Sequence, residues 1–518
     1  MRVGILELLA MPARGPTEAL YHRILTREYA SLTPQAVSVW CRQLGHETFY
    51  ATYYGVGKLE QCLPRDLDVV FLSCYTQPSA LAYALAKIYR KAGARTVIGG
   101  PHAKAFPLDC ARFFDVVVQE CDKNLVADIL ADRFPPGSVV SSAKPFDDLP
   151  PVEERMPEIL ASAFLRNGRR HFLTTVPLLA SVGCPYSCDF CIDWNNPYRM
   201  LSRDRLEADL RYLSKHYPGI MIAFHDPNFG VKFDEVMDTL ESLPPGSRLP
   251  YIMESSLSIL RGSRMRRLKE TNCIAVAPGI ESWVDYSNKA GAGRKAGLEK
   301  VDQIVEQLKL LIENIQYIQG NFMFGLDSDR GTDPVELTKE FMDRAPFVWP
   351  ALNIPVPFGG TPLHDNYLAQ GRILTAMPFA FYYAPYLTTT LKNYDPPTYY
   401  ENLIDIFSHS VSWRMLKRRV SVARTYKVKL LHWARTLHIK ADMRGHRRIL
   451  GMLRSDAQFR AFHEGRSPRL PDFYHYEYKR ILGPYAELLS APDRTPVLAP
   501  LELTVAGTKP QLTQLAFS

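Results

Sequence analysis

Three of the nine cysteines of this 518-residue chain fall within eight residues, in the stretch Ser181-Val-Gly-Cys-Pro-Tyr-Ser-Cys-Asp-Phe-Cys191. Cys184, Cys188 and Cys191 are spaced C-x3-C-x2-C, so three thiolates can meet on one short loop. Soft thiolate ligands of this kind favour iron–sulfur clusters. A four-iron cubane held by three cysteines keeps one iron free for a non-protein ligand, and a substrate can occupy that position.

Other uses of three clustered cysteines are less consistent with the sequence. A structural zinc needs a fourth ligand, usually from a second pair, and the candidates are Cys273, which begins a different predicted strand, and His225. Disulfides would pair two of the thiols and leave one free. Nine cysteines in a chain of 518 residues are too few for a disulfide scaffold, and they are typical of a reducing compartment.

The composition is that of an ordinary globular protein, with 46% hydrophobic and 22% charged residues. The length suits roughly two to four domains. We find no uninterrupted apolar run of about 18 residues, the length that a spanning helix needs. The N-terminus Met-Arg-Val-Gly-Ile-Leu is typical of a first strand rather than a signal peptide. We expect a cytoplasmic protein and leave open a peripheral contact with the inner membrane.

Residues 1–140 alternate predicted strands and helices, which predicts βαβ units and a doubly wound parallel sheet. Ligands of such sheets bind beyond the carboxyl ends of the strands. At that edge stand Ser73 and the pair Gly99-Gly100, which lets a bulky group approach the backbone. The expected strands are Arg2–Leu9, His46–Tyr53, Leu67–Cys74, Arg95–His102 and Phe114–Gln119, with helices at Pro34–Leu44, Ala80–Ala92 and Asn124–Phe134.

Residues 141–171 are polar and proline-containing, and we expect a linker there. Residues 172–365 then repeat six strand–helix units, which is typical of a partial barrel with functional groups at the carboxyl ends of its strands. The cysteine motif directly follows the first of these strands. The expected strands are Thr175–Val182, Ile220–His225, Tyr251–Ser255, Ile274–Gly279, Tyr317–Phe324 and Ala351–Val356.

Polar or glycine-rich groups also end the other barrel strands, and this pattern predicts one shared site at the barrel mouth. The ordinary alternative for each carboxylate is a salt bridge or a strand-end cap. The groups are Asp226 and Asn228 after the second strand, Glu254 in the third, Glu281 and Ser282 after the fourth, and Gly325 after the fifth.

The cysteine motif with Phe190 before its last cysteine, the run Gly279–Ser282 and the run Gly325–Asp327 together resemble the radical S-adenosylmethionine superfamily. With the doubly wound domain in front, residues 1 to about 365 resemble its cobalamin-binding branch. The resemblance implies a 4Fe–4S cluster on the three cysteines and S-adenosylmethionine on the fourth iron, although the family's usual Gly-Gly-Glu is absent. The implied S-adenosylmethionine contacts are Phe190, Asp226, Asn228, Glu254, Glu281, Ser282 and Gly325.

The resemblance also implies cobalamin at the edge of the first sheet, beside Ser73, Gly99, Gly100 and Glu120. The D-x-H-x-x-G motif that supplies an imidazole to cobalt in some cobalamin domains is absent. Its frame is Thr52-Tyr-Tyr-Gly-Val-Gly57, so we expect Tyr54 to cover the lower face of the cobalt. A flavodoxin-like domain without a cofactor is the alternative, and we expect His102 to be a hydrogen-bonding residue rather than a ligand.

C-methylation is the activity that this resemblance implies. An electron donor such as flavodoxin or ferredoxin would reduce the cluster, a 5′-deoxyadenosyl radical would take a hydrogen atom from an unactivated carbon, and cobalamin would deliver the methyl group. Four stretches further resemble the methylases that act at C-3 of hopanoid lipids, which implies a lipid substrate; another natural-product or pigment intermediate is the alternative. These stretches are Pro34–Val37, Trp40–His46, Leu470–His475 and Leu482–Leu488.

Residues 366–492 show no catalytic motif, and we expect a mostly helical domain followed by an extended tail at 493–518. The aromatic runs Phe379–Tyr386 and Tyr394–Tyr400 suit an apolar substrate pocket or a capping core. Trp413–Arg454 is predicted as a helix with thirteen cationic residues against Asp442. Such a segment suits an anionic membrane surface or a nucleic acid. The second reading would make the chain a nucleic-acid-binding protein with a structural cluster, but the strand-end motifs favour an enzyme without a nucleic-acid partner.

Overall fold

The N-terminal sheet has six parallel strands in the order β2-β1-β3-β4-β5-β6. The computed structural model describes residues 1–13, 15–25, 31–165, 168–171, 174–284, 286 and 288–499. Helices cover both faces of the sheet, which confirms the expected doubly wound fold. The strands are β1 Arg2–Leu8, β2 Glu47–Tyr53, β3 Val69–Cys74, β4 Arg95–Gly99, β5 Val116–Val118 and β6 Ser138–Val140; the helices are α1 Pro16–Leu25, α2 Leu32–Gln43, α3 Ser79–Lys91, α4 Pro101–Ala105, α5 Pro107–Ala111 and α6 Lys123–Leu130, with a 3-10 helix at Leu59–Gln61.

Successive side chains of these short apolar strands point to opposite faces of the sheet. On β1, Val3 and Ile5 pack with Trp40 of α2 in one core, whereas Leu6 and Leu8 pack in a second core with α3 and the C-terminal region. Both faces are therefore buried, as the continuous apolar runs predict. Strand β6, only three residues long, is an addition that the sequence pattern did not predict.

Residues 141–171, expected as a linker, contain helix α7, Val152–Ala163. Arg155 of this helix is fully buried, and its guanidinium donates to Gln35 Oε1 at 3.0 Å and to the Pro177 carbonyl at 3.2 Å. The buried Glu158 carboxylate accepts from Ser38 Oγ at 2.7 Å. This segment is thus a packed bridge between the two sheets rather than a loose connection.

The second sheet contains six parallel strands in the order β14-β13-β12-β11-β10-β7 and confirms the expected partial barrel. A two-residue ribbon, β8 with β9, is antiparallel and separate from it. The strands are β7 Thr175–Leu178, β8 Ser181–Val182, β9 Arg199–Met200, β10 Met221–Phe224, β11 Tyr251–Ser256, β12 Cys273–Glu281, β13 Tyr317–Met323 and β14 Val348–Asn353; the helices are α8 Arg203–His216, α9 Phe233–Glu241, α10 Ser263–Glu270, α11 Gly297–Ile312 and α12 Asp333–Arg344, with 3-10 helices at Pro245–Ser247 and Asn288–Ala290.

The C-terminal region is helical, as expected, and the aromatic runs are core. Phe381, Tyr399 and Tyr400 are fully buried in the same cluster as Leu6 of β1, so the interpretation as a capping core is correct. The predicted helix 413–454 is divided in two, and residues 500–518 of the expected tail lie outside the described residues. The helices are α13 Pro362–Ala369, α14 Pro396–Ser410, α15 Trp413–Val422, α16 Tyr426–Ser455, α17 Ala457–His463, α18 Asp472–Leu482 and α19 Ala491–Arg494, with 3-10 helices at Phe379–Phe381 and Gly483–Leu488.

Within the described part of the chain, every helix is too short or too polar to cross a lipid bilayer.

Glu7 places a carboxylate inside the N-terminal sheet. It is 1% exposed on β1, and both of its oxygens accept from the Ser31 N–H at 3.1 Å, just before α2 begins. Burial raises the pKa of this carboxyl from 4.5 to about 7, against the opposing effect of the Ser31 hydrogen bonds. The folded protein therefore keeps a proton on Glu7 that the unfolded chain releases.

We expect Glu7→Gln to change how stability depends on pH. The raised pKa means that the wild-type protein loses stability as the pH rises from 4.5 to about 7, by about 3 kcal/mol. The variant lacks this loss, so its stability relative to wild type rises between pH 5 and pH 8 in urea unfolding. Glu299→Gln, at a carboxylate with 64% side-chain exposure, is the control. An equal difference at both pH values contradicts the prediction.

Candidate active site

A cavity of about 1120 Å³ lies where the carboxyl ends of the two parallel sheets face each other. Its volume exceeds the roughly 300–1,000 Å³ of ordinary small-molecule sites. The first sheet contributes Ser73, Gly99 and Gly100, and the barrel contributes Asp226 and Glu254. The two edges that the sequence predicts as ligand sites therefore border one space.

Gly99 and Gly100 leave part of the wall from the first sheet as open backbone. Gly100 has a φ of +88°, and a Cβ atom there would lie 2.7 Å from Ser73 Oγ, so glycine is required on both counts. A Cβ at Gly99 would approach only the Val118 carbonyl oxygen, at 3.8 Å. Glu120 lines the cavity beside this edge. Two adjacent glycines at the edge of a large volume leave room for the broad, flat ring of cobalamin.

The structure does not bring Tyr54 to this cavity. Its side chain is 8% exposed, its hydroxyl donates to the Ser162 carbonyl at 2.8 Å, and it is absent from the described residues that line the cavity. The expectation that Tyr54 covers the cobalt is therefore corrected, because α7 takes up this side chain. Tyr75, one residue after β3, does line the cavity and is 46% exposed within it.

His102 is a hydrogen-bonding residue, as expected. It is fully buried at the start of α4, and its Nε2 lies 2.6 Å from the Tyr83 hydroxyl, which in turn donates to Asp109 Oδ2 at 2.6 Å. Burial lowers the pKa of the imidazole to about 3. The ring is therefore neutral at physiological pH, and it belongs to a closed polar network beneath the sheet.

The cysteine loop is closed at its base by the β8–β9 ribbon. Gly183 begins the loop with a φ of +72°, and a Cβ there would lie 2.2 Å from the Pro197 carbonyl oxygen. The Cys184 N–H donates to the Asn196 carbonyl at 3.2 Å, and the Cys191 N–H donates to the Cys188 carbonyl at 3.1 Å. The chain therefore leaves and returns at one point, and all three thiols are presented on one compact loop.

Asp226 fixes this loop to the barrel. Its buried carboxylate accepts from the Ala180 N–H at 3.1 Å, from the Ser181 N–H at 2.6 Å and from Ser181 Oγ at 2.5 Å. Asn228 is bonded to Ser256: its Nδ2 donates to Ser256 Oγ at 2.8 Å, and its Oδ1 accepts from the Ser256 N–H at 3.1 Å. Burial raises the pKa of Asp226 to about 6 against these hydrogen bonds. Both residues hold neighbouring strand ends together, and their contact with S-adenosylmethionine stays a prediction.

Lys289 supplies a positive charge beside the thiols, and sequence reasoning missed it. Burial raises the pKa of Cys188 to about 11, and the Lys289 ammonium opposes this rise. Burial also disfavours the charge on Lys289 itself, but Cys188 and Glu281 outweigh it and raise the pKa of the ammonium. A cation placed here stabilises thiolates, the form in which cysteine binds iron. Lys289 lies on a short 3-10 helix outside any motif.

Glu281 also lies beside the cysteine loop, and its backbone conformation there is unusual. It ends β12 with a φ of +65°, and a Cβ atom at Gly279 would lie 2.3 Å from its Oε1. Burial raises the pKa of its carboxyl to about 7, although Lys289 opposes the rise. A non-glycine residue held in the left-handed region is a mark of functional constraint. The Gly-Ile-Glu-Ser run is thus needed to turn Glu281 towards the cysteine loop.

The donor set fits a four-iron cluster better than a single ion. Cys184 and Cys188 are each 8% exposed, and Cys191 is half-buried. Among the described residues, no three or more His, Cys, Asp or Glu side chains converge so as to hold a metal ion. A cubane spaces its ligands around its corners, so it needs no such convergence. Cys273, a candidate fourth zinc ligand, lies in the barrel core, where its thiol donates to the Ala275 carbonyl at 3.7 Å.

Three other predicted contacts have protein partners in this structure. The Phe190 ring stacks on Tyr286 at 6.0 Å between centroids. Ser282 Oγ lies 3.4 Å from Asp329 Oδ1. Gly325, with a φ of +104°, makes room for Tyr399, since a Cβ there would lie 2.7 Å from the ring. The glycine thus allows close packing against the C-terminal region, and its contact with S-adenosylmethionine stays a prediction.

Three cavity-lining side chains suit proton and hydrogen-bond chemistry. Glu254 is exposed to the cavity yet enclosed by protein, and burial raises the pKa of its carboxyl. Burial lowers the pKa of His225 to about 4, so its ring is neutral at physiological pH. The pKa of Tyr75 is raised by burial and then by Glu7 and Glu254. The hydroxyl of Tyr75 and the neutral imidazole of His225 can form hydrogen bonds with a bound molecule.

Lys104 connects the two domains across the cavity. Its ammonium donates to Glu120 Oε1 at 2.8 Å and to Asp193 Oδ1 at 2.9 Å, and Asp193 follows Cys191 by two residues. Burial disfavours its charge, but Asp193 and Glu120 outweigh this and raise the pKa of the ammonium. The segment 141–147 completes the wall beside it. Neither feature belongs to a motif, so sequence analysis did not single them out.

The comparison with protein families matches residues 178–337 to the model of the radical SAM superfamily. The chain is 25% identical over 374 residues to the bacteriochlorophyllide d C-8(2)-methyltransferase of Chlorobaculum tepidum, covering 68% of this chain and 80% of that protein. It is 32% identical over 130 residues to the hopanoid C-3 methylase of Methylococcus capsulatus, covering 23% of this chain and 22% of that one.

Two solved structures share the fold. The cobalamin-dependent S-adenosylmethionine radical enzyme OxsB superposes with a TM-score of 0.57 at 12% identity, over 94% of this chain and 79% of that one. TsrM from Kitasatospora setae, a radical S-adenosylmethionine methyltransferase solved with cobalamin and a [4Fe-4S] cluster, gives 0.51 at 14% identity, over 74% of this chain and 76% of that one. The fold extends over all three regions of the chain.

We expect Lys104→Met to loosen the contact between the sheet edge and the cysteine loop. The substitution leaves Glu120 and Asp193 facing each other without a cation, which costs roughly 1–3 kcal/mol. The midpoint of thermal unfolding and the iron retained after reconstitution should both fall. Lys104→Arg should restore most of both, and Lys87→Met, which removes a surface pair with Asp493, is the matched control. Equal effects of the two Met variants contradict this role.

Proposed function

We propose that the chain, whose residues 178–337 match the model of the radical SAM superfamily, belongs to the cobalamin-binding branch of that superfamily and methylates C-3 of a hopanoid lipid. It is a C-methylating enzyme that uses a 4Fe–4S cluster, S-adenosylmethionine and cobalamin. The observation that supports this reaction most directly is the single cavity bordered by Gly99 and Gly100 on one side and by Gly183 and Asp193 of the cysteine loop on the other.

When bound, these groups supply hydrogen-atom abstraction from an unactivated carbon and delivery of a methyl group, chemistry that amino-acid side chains cannot perform. Cys184, Cys188 and Cys191 would hold the cluster. The ammonium of Lys289 offsets part of the negative charge of the thiolates. Ser73, Gly99, Gly100 and Glu120 would form the cobalamin wall.

Side chains of the cavity, together with Glu281 beside the cysteine loop, would orient S-adenosylmethionine and the acceptor. Glu254 and Glu281 present carboxylates that can accept hydrogen bonds from the amino group and ribose hydroxyls of S-adenosylmethionine. Burial lowers the pKa of His225 to about 4, so the ring stays neutral at physiological pH and can accept a hydrogen bond. The Tyr75 hydroxyl can donate a hydrogen bond from the cavity wall that the first sheet forms. The Lys104 contact keeps the two walls together while the acceptor is bound.

The lipid acceptor rests on two kinds of support. The partial match to a hopanoid C-3 methylase has the higher identity of the two relatives, 32%. Four stretches outside the barrel resemble those methylases, among them Trp40–His46 and Leu482–Leu488. We also propose a cytoplasmic enzyme that is reduced by flavodoxin or ferredoxin and contacts the inner membrane peripherally.

A pigment intermediate is the second candidate acceptor. The bacteriochlorophyllide methyltransferase matches over 374 residues, a much longer span than the 130 residues of the hopanoid methylase. A tetrapyrrole is flat and rigid, as a hopanoid is. The lipid profile of a host with and without the gene distinguishes these two acceptors.

We expect Cys188→Ala to abolish cluster binding, because two thiolates on this loop cannot hold three irons. Wild-type protein reconstituted under anaerobic conditions should carry about four irons per chain. Cys273→Ala removes a buried cysteine outside the loop and is the matched control, with wild-type iron expected. Iron analysis and the visible absorption band give the readout. Normal iron in Cys188→Ala, or equal losses in both variants, contradicts the assignment.

The reaction is tested with methyl-labelled S-adenosylmethionine under anaerobic conditions, together with lipid profiles of a host with and without the gene. We expect both 5′-deoxyadenosine and S-adenosylhomocysteine in vitro, and 3-methylhopanoids only in the host with the intact gene. A gene encoding Cys188→Ala serves as the matched control. The absence of both products contradicts the reaction class, whereas both products with an unchanged hopanoid profile contradict only the proposed acceptor.

A further inference from the structure

We propose that the outer faces of α15 and α16 form a docking surface for a bilayer containing anionic phospholipids. The surface consists of an apolar patch and a basic patch on helices that lie away from the residues lining the cavity. It rests on exposure and charge in the C-terminal region, so it stands whether or not the acceptor is a hopanoid.

The apolar patch occupies the first half of α16. Tyr426, Leu430, Trp433 and Leu437 recur at intervals of three and four residues, so they share one face of the helix. They are 75%, 59%, 43% and 52% exposed. Trp413 of α15, 59% exposed, lies beside Trp433 with 5.9 Å between ring centroids. Two large indoles and two leucines are therefore presented side by side to solvent.

The apolar patch takes no part in the packing of α16 against the rest of the protein. The opposite face of α16 already packs against the protein through Val428, His432, Met443, Ile449 and Leu453, all buried. A helix that is apolar on both faces ordinarily has both faces covered. No described segment covers the outer one. Contiguous exposed apolar patches of this kind mark an interaction surface.

The basic patch continues the same face of α16. Lys440, Arg444 and Arg447 follow Leu437 at positions that return to the outer side of the helix, and the Lys440 ammonium lies 3.5 Å from the centroid of the Trp413 ring. None of the three forms an ion pair with a described acidic side chain. The same holds for Lys417, Lys427 and Lys429 around the apolar patch. Apart from the contact between Lys440 and the Trp413 ring, these six cations are available to an anionic partner.

Several other cations of this segment have structural partners, so the sequence overstates the free charge. Arg414 and Arg418 bind Asp343, and Arg448 binds Glu477. Arg419 is fully buried and donates to the Ser410 carbonyl at 2.5 Å. The unpaired cations therefore lie on the outer faces, around the exposed tryptophans.

This combination fits a membrane better than a nucleic acid. Tryptophan and tyrosine favour the boundary between lipid headgroups and acyl chains, and leucines gain from burial below it. Lysine and arginine near an anionic surface each contribute about 1 kcal/mol. Phosphates of a nucleic acid would use the cations but would leave Leu430 and Leu437 without a partner.

The full-length protein should co-sediment with vesicles that contain phosphatidylglycerol and much less with vesicles of phosphatidylcholine alone. Added salt should weaken this binding, because exposed charges are screened. Binding should also shift the tryptophan emission to shorter wavelength, and Trp413→Phe with Trp433→Phe should remove most of that shift. The assay needs no turnover, so it is independent of the proposed reaction.

Two triple variants test the two patches separately. Leu430→Ser, Trp433→Ser and Leu437→Ser remove the apolar patch, and Lys440→Gln, Arg444→Gln and Arg447→Gln remove the basic one. Each should weaken binding about tenfold or more. Leu298→Ser with Leu310→Ser, at leucines 59% and 55% exposed on α11, is the matched control and should change it little.

All these positions except Lys440 are well exposed, so the substitutions should leave the fold intact. Circular dichroism of each variant checks this. Three results overturn the proposal: no vesicle binding by the wild-type protein, equal binding by the control and the triple variants, or salt-sensitive binding to RNA or DNA in place of vesicles.

Discussion

The buried carboxylate of Asp226 holds the site together. By accepting from two backbone N–H groups and the hydroxyl of Ser181, it fixes the base of the cysteine loop to the end of the neighbouring barrel strand. A buried carboxylate with three donors costs little once they are in place and much if they are lost. The position of the cysteine loop, whose Gly183 and Asp193 border the cavity, depends on this contact, and Lys104 joins the same loop to the opposite wall.

The sequence predicted the two sheets well, because each strand is a short apolar run and each helix repeats apolar residues at its own period. It predicted which strand ends meet, since parallel strands bring their carboxyl ends to one edge. It did not predict Lys104, Lys289 or the 141–147 wall, because these depend on how two domains face each other. Tyr54 was assigned from a motif frame, and α7, expected as a linker, took that side chain up instead.

Several motif residues also have protein partners, and their contacts with S-adenosylmethionine stay predictions. Gly325 and Ser282 stand where the family motif puts ligand contacts, yet Tyr399 occupies the space beside Gly325, and Asp329 lies within hydrogen-bonding distance of Ser282. The aromatic runs of the C-terminal region looked equally suited to a pocket and to a core, and burial shows that they are core. A motif fixes the backbone at a strand end, whereas the surrounding packing decides what each side chain contacts.

The central claim is that the cluster and the corrinoid face each other across one cavity. Both become paramagnetic on suitable reduction, so electron paramagnetic resonance of the doubly reconstituted protein tests this directly. We predict that reduction of the cluster broadens or splits the cob(II)alamin signal through spin–spin coupling, and that Cys188→Ala removes the effect. A spectrum that is the simple sum of two isolated signals would contradict a shared cavity.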